Sequence, residues 1–195
     1  MLCTHDDAFE EVTSMASRKL PNILITGTPG TGKSTLALSL LESLNSQSDN
    51  KFSHICVGDL VKHKDLHIGY NQQFQCYDVD DDKILDELEP LLDLGGCILD
   101  WHCSEIFPES SLDLIIVLRC DHQILFKRLE DRNYTPEKIN ENNDAEIFGE
   151  CLHEALEAFP NPGQVVELDS ENLDNLESNT DRFITWLQSW KSDNL

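Results

Sequence analysis

Apolar positions along this chain fall into two alternating rhythms. Short, nearly continuous apolar runs at Asn22–Thr26, Phe52–Val57, Cys97–Asp100, Leu112–Arg119 and Gln164–Leu168 have the length and character of buried strands. Between them apolar residues return every three or four positions. That spacing predicts helices from Lys33 to about Leu44, from about Asp80 to Leu94, over Asp121–Arg132 and over Leu173–Trp190. In the last of these, Leu173, Leu176, Phe183, Ile184, Leu187 and Trp190 share a face, most simply a core face. A further long helix is expected to end at Pro160-Asn161-Pro162-Gly163, and polar or glycine breaks stand at Asn45–Asn50 and Gly95-Gly96. Strands interleaved with helices imply an α/β fold with a parallel sheet, because parallel strands need helical crossovers. Residues 1–20 are polar and unpatterned and are expected to form a flexible lead. A single domain over 21–190 and a short tail at 191–195 complete the expected organisation.

Composition narrows the class. The 195 residues carry 14 Lys plus Arg against 37 Asp plus Glu, a formal net charge of −23. Length of this order suits one compact domain with a sizeable core. So acidic a chain is poorly suited to direct nucleic-acid binding, which depends on Lys and Arg neutralising phosphates, and it favours basic partners instead. No stretch approaches the roughly 18 apolar residues that span a bilayer, so a soluble protein without membrane association is expected. Acids stand at the N-terminus where a targeting presequence would be basic. Seven cysteines, an odd number without a C-x-x-C pair, suit a reducing compartment.

Chemistry enters at Gly27-Thr28-Pro29-Gly30-Thr31-Gly32-Lys33-Ser34, which matches G-x-x-x-x-G-K-[ST] between an expected strand and an expected helix. A loop of this kind turns successive N–H groups toward a triphosphate, Lys33 reaches the outer phosphates and Ser34 can bind Mg²⁺. Such loops need an acidic partner for the metal at a neighbouring strand end, and Asp100 supplies it. His102 follows, where an imidazole could orient a water or assist proton transfer. Of five arginines, Arg119, Arg128 and Arg132 fall within fourteen residues, with Arg128 and Arg132 one helical turn apart, as suits phosphate stabilisation. The N-K-x-D base-reading motif of GTPases is absent. Asp78, Asp80, Asp82 and Glu89 imitate calcium-loop spacing, but Lys83 stands where glycine is required, and acids opening a helix explain them better. His63 and His67 stand four apart without the glutamate of a zinc protease.

Further short motifs line up with the P-loop: Gly58-Asp59-Leu60, Gly69-Tyr70, D-E-L-E at 86–89, D-W-H at 100–102, F-P-E at 107–109, V-L-R at 117–119 and R-L-x-x-R-x-Y at 128–134. Together, from about Pro21 to Trp190, they resemble the adenylate kinase isoenzyme 6 family. The resemblance implies a P-loop nucleoside-monophosphate-kinase-like fold: a five-stranded parallel sheet flanked by helices, a monophosphate-binding segment over 56–79 and a short lid over 131–141. Gly30, Gly32, Lys33, Ser34 and Thr35 would bind ATP, with Arg132 clamping its phosphates from the lid. Gly58, Asp59, Lys62 and Arg119 would serve the monophosphate, and Asp100 with His102 would form the D-x-H pair linked to Mg²⁺ and ATP turnover. The implied activities are adenylate kinase and ATPase. The implied role is small ribosomal subunit assembly and late rRNA-precursor cleavage, through a basic small-subunit ribosomal protein, in nucleus and cytoplasm, as a monomer. Departures from the pattern are Lys62 and Ser110 where relatives carry arginine, Asn133 for glycine and Trp101 for tyrosine. Two other readings stand beside it: an assembly factor in which AMP phosphorylation is incidental, and a P-loop kinase of another small metabolite.

Overall fold

The computed structural model describes residues 18–45, 51–72 and 76–195; the expected lead as far as residue 17, the polar loop at 46–50 and Gln73–Gln75 lie outside them. In chain order the elements are β1 (Ile23–Thr26), α1 (Lys33–Asn45), β2 (Ser53–Cys56), α2 (Val57–His63), β3 (His67–Asn71), β4 (Cys76–Val79) and α3 (Asp81–Leu94), then β5 (Cys97–Asp100), β6 (Leu114–Arg119), α4 (His122–Asp131), α5 (Pro136–Phe148), α6 (Glu150–Ala158), β7 (Val165–Asp169) and α7 (Leu173–Asn194). Five strands make one sheet in the order β2-β5-β1-β6-β7, every pairing parallel, as the interleaved pattern implies. The two strands β3 and β4 form a separate antiparallel hairpin.

Strand alternation sorts the core into two layers. Ile23 and Ile25 of β1, Ile98 of β5 and Ile116 of β6 pack with Leu36 and Leu40 of α1 and with Phe183 and Leu187 of α7. Leu24, Leu99, Ile115 and Val117 face the other way, onto Ile84 and Leu88 of α3 and Ala155 of α6. The apolar stripe of α7 is therefore a core face from Leu176 to Leu187, while its first member, Leu173, is exposed and its last, Trp190, lies half-buried outside the core layers.

Caps fix several helix starts. Asp80 accepts from the Lys83 N–H, so the acids that imitated a calcium loop open α3. Asp121 caps α4, Asn172 caps α7, and Thr135 caps α5 just before Pro136 at its first position.

The structure adds the β3–β4 hairpin, carries α7 through most of the expected tail to Asn194, and departs from the sequence reading elsewhere as well. The long helix before Pro160 is two helices, broken at Gly149, whose φ is +68°. The segment expected as the lid, 131–141, holds the last residue of α4, a turn at 132–135 and the opening of α5, with Asn133 in the left-handed region at φ +58°, where a glycine or an asparagine is favoured. Order also begins before Pro21: Arg18 donates to the Ser110 and Ser111 carbonyls and pairs with Asp113 at 3.1 Å.

Candidate active site

β1 is the central strand, and its carboxyl end runs directly into the P-loop. Gly27, at φ +136°, allows the exit: a Cβ there would lie 2.6 Å from the Leu118 carbonyl oxygen of β6, so the neighbouring strand leaves no room for a side chain. The loop is braced from within, the Thr31 N–H and hydroxyl both donating to the Thr28 carbonyl. Lys33 opens α1 and folds back so that Nζ donates to the Gly27 carbonyl at 2.8 Å and the Thr28 carbonyl at 3.3 Å. Burial pushes its ammonium below the usual lysine value, with Asp100 opposing. Ser34 and Thr35, the next two residues, are exposed.

Parallel register places Asp100 beside Ile25, one residue before the end of β1. The Ser34 hydroxyl donates to Asp100 Oδ2 at 2.5 Å. Burial would raise this carboxyl, but His54, Ser34 and Lys33 together hold it below the ordinary value, so it is ionised at neutral pH. A hydroxyl and a buried carboxylate meeting beside the P-loop lysine are hard oxygen donors of the kind Mg²⁺ prefers, so the residues present fit that ion.

His102 leaves β5 with its ring against Trp101, centroids 4.3 Å apart, and its carbonyl accepts from the Thr26 hydroxyl. Part of the residue meets solvent, yet crowding by protein and then the Lys33 charge push the imidazole down to about 4. It is neutral at physiological pH and able to accept a proton. Glu154 of α6 accepts from the Ser104 N–H and hydroxyl and from the Glu105 N–H, fixing the loop that carries this histidine.

The arginines separate into three roles. Arg132 caps the end of α4 and is exposed; its side chain has no hydrogen-bonded or ion-paired partner among the described residues, while its charge reaches Lys33. It borders a cleft of about 550 Å³ with Gly30, Gly32, Thr35 and Leu173. Arg128 lies in the same cleft wall, but its guanidinium donates to the Ser170 and Glu171 carbonyls at 2.8 and 2.7 Å and reaches the Gly30 carbonyl at 3.4 Å. These bonds brace the P-loop against the loop before α7. Arg119 is not brought to the monophosphate segment. Its Nε donates to Glu146 Oε1, Nη2 to the Glu146 carbonyl and Nη1 to Glu167, so every nitrogen of the fork is engaged.

Gly58 and Asp59 open α2 directly after β2, with Gly58 close to the Trp101 ring. Lys62, one turn on, is exposed and lies 3.9 Å from Asp59. Sequence reasoning missed Glu146. It is 3% exposed and joins the Thr28 hydroxyl, 2.5 Å from Oε2, to Arg119 and the Cys120 N–H, so that α5 grips the P-loop. Its only sequence signal is a charge on a helix of weak amphipathicity, indistinguishable from a surface acid.

The family described as AAA domain matches residues 23–149. An adenylate kinase isoenzyme 6 homolog of Schizosaccharomyces pombe is 51% identical over 90% of this chain and 97% of its own length. One from Dictyostelium discoideum is 45% identical over 91% of this chain and 97% of its own. Among solved structures, shikimate kinase from Bacteroides thetaiotaomicron superposes with a TM-score of 0.58 at 16% identity, covering 86% of this chain and 98% of that one, a likeness of fold.

Proposed function

The chain belongs to the adenylate kinase isoenzyme 6 family and is a nucleotide kinase of the P-loop class; from that premise we propose that it transfers the outer phosphoryl group of ATP to AMP and to water. The observation that carries this reading is the meeting of Lys33, the Ser34–Asp100 pair and a neutral His102 at the ends of β1 and β5. P-loop N–H groups and the N-terminus of α1 receive the phosphates, and Lys33 exchanges its carbonyl partners for phosphate oxygens. Ser34 and Asp100 would hold Mg²⁺, which when bound supplies charge neutralisation on the outer phosphates. His102 accepts a hydrogen bond, and then a proton, from an attacking water. Arg132, unpaired at the cleft rim, closes on the charge that spreads over the transferred group.

A second reading is favoured by one specific observation. The segment over 56–79 contains no arginine, its two exposed lysines, Lys62 and Lys64, pair with Asp59 and Glu87, and Arg119 is committed elsewhere. A monophosphate would meet point charge rather than a bidentate clamp, which favours hydrolysis over transfer to AMP. This supports a nucleotide cycle that serves assembly of the small ribosomal subunit and pre-rRNA cleavage, acting on a basic small-subunit ribosomal protein in nucleus and cytoplasm.

The test is one assay following ADP formed from AMP and phosphate released from ATP, with and without that protein. Lys33→Ala is expected to abolish both; full turnover by the variant sinks the assignment. Hydrolysis that dominates and responds to the basic protein selects the assembly reading. Transfer to AMP that dominates regardless selects a nucleotide kinase alone.

A further inference from the structure

His54 lies on β2, two residues before Cys56, whose Cα is in register with Asp100. Strand alternation puts His54, Cys56 and Asp100 on the α1 side of the sheet, while Ile55 between them packs into the other core layer. His54 Nε2 is buried and has no hydrogen-bond partner among the described residues, although burial of a ring N–H is costly without one. The carboxylate oxygen it faces is Asp100 Oδ2 at 3.8 Å, the atom that also receives the Ser34 hydroxyl. That separation is too long for a hydrogen bond.

Among the described residues Ser34 is the one hydrogen-bond donor on the Asp100 carboxylate, and it engages a single oxygen, Oδ2. His54 offers a second donor on a strand, where its direction is fixed by packing. We propose that His54 is a positioning residue for the metal site: in the loaded enzyme its Nε2–H closes onto Asp100 and fixes the carboxylate in the orientation the metal shell needs. The inference rests on the reading of Asp100 and Ser34 as the Mg²⁺-holding pair.

The experiment measures ADP binding to the full chain by calorimetry with saturating Mg²⁺ and again in EDTA. The ratio of the two affinities is the gain due to metal. His54→Leu is expected to lower that gain about 10-fold, the low end of what losing a partner of a metal ligand costs, with affinity in EDTA unchanged. His54→Gln, whose amide nitrogen reaches the place of Nε2, is expected to restore most of the gain. Thermal unfolding of His54→Leu in EDTA should be no lower than that of the parent, because an unpartnered polar atom has been removed.

An undiminished gain in His54→Leu, or an equal fall with and without metal, overturns the inference. Asp100→Asn separates it from its premise. Loss of the gain in Asp100→Asn together with full gain in His54→Leu removes only the role of His54. Full gain in Asp100→Asn removes the metal reading and the inference with it.

Discussion

Arg128 and Arg132 are one helical turn apart, yet they do different work because one has found partners and the other has not. Arg128 is held by three backbone carbonyls from the P-loop and the loop before α7, so removing it strips charge-assisted hydrogen bonds from both. Arg128→Ala is expected to cost about 2 kcal/mol, lowering the melting temperature by about 4–8 °C for a chain of this size. It should raise KM for ATP with a smaller effect on kcat. Arg132→Ala removes an exposed, unpaired side chain, so its melting temperature should stay within about 1–2 °C of the parent while kcat falls about 10²–10³-fold. Calorimetry with steady-state kinetics checks both; equal thermal losses would show that Arg132 is structural as well. At this scale the P-loop was legible because its residues are contiguous and its chemistry is set by spacing. Glu146, His54 and the carbonyl partners of Arg128 were not, because such partners lie up to 118 positions away in sequence and no local pattern distinguishes a buried carboxylate from a surface one.

Elements were legible where their periodicity is undisturbed. The five core strands bury nearly every side chain in β1, β5 and β6, which leaves continuous apolar runs. The β3–β4 hairpin was lost because its alternating exposure and polar residues carry little apolar signal. Gly149 was passed over as one glycine in a helical pattern, but its left-handed φ ends α5, and its N–H bonds the Ala145 and Glu146 carbonyls. The break has a purpose at element scale. It lets α5 present Glu146 to the P-loop while α6 turns to present Glu154 to the His102 loop. A Cβ at Gly149 would stand 3.4 Å from Arg119 Nη1, close to the fork that Glu146 receives. Gly149→Ala is therefore expected to cost about 1–2 kcal/mol from backbone strain alone. It should speed amide exchange in the first turns of α6. Unchanged melting and exchange would mean that the two helices do not depend on the break for their placement.

Across the whole molecule, a formal charge of −23 coexists with a site where Arg128 and Arg132 line one cleft and the charge of Arg132 reaches Lys33. Local cations draw a nucleotide's phosphates in at short range, while the surrounding surface repels other polyanions at longer range. At about 0.1 M salt the screening length is about 10 Å, so contacts inside the cleft survive salt better than attraction between protein surfaces does. For the proposed basic ribosomal protein this sets a clear expectation, since complementary net charges steer encounter and lose that advantage as ionic strength rises. Its dissociation constant, measured by fluorescence anisotropy, should rise at least about 10-fold between about 50 and 300 mM NaCl, with most of the change in the association rate. Binding of Mg·ADP over the same range should change less. An RNA oligonucleotide should show no comparable affinity at either salt, because too few cations are free to displace its counterions. Salt-independent capture of the basic protein would place the interface in apolar contacts, and tight RNA binding would overturn the charge argument itself.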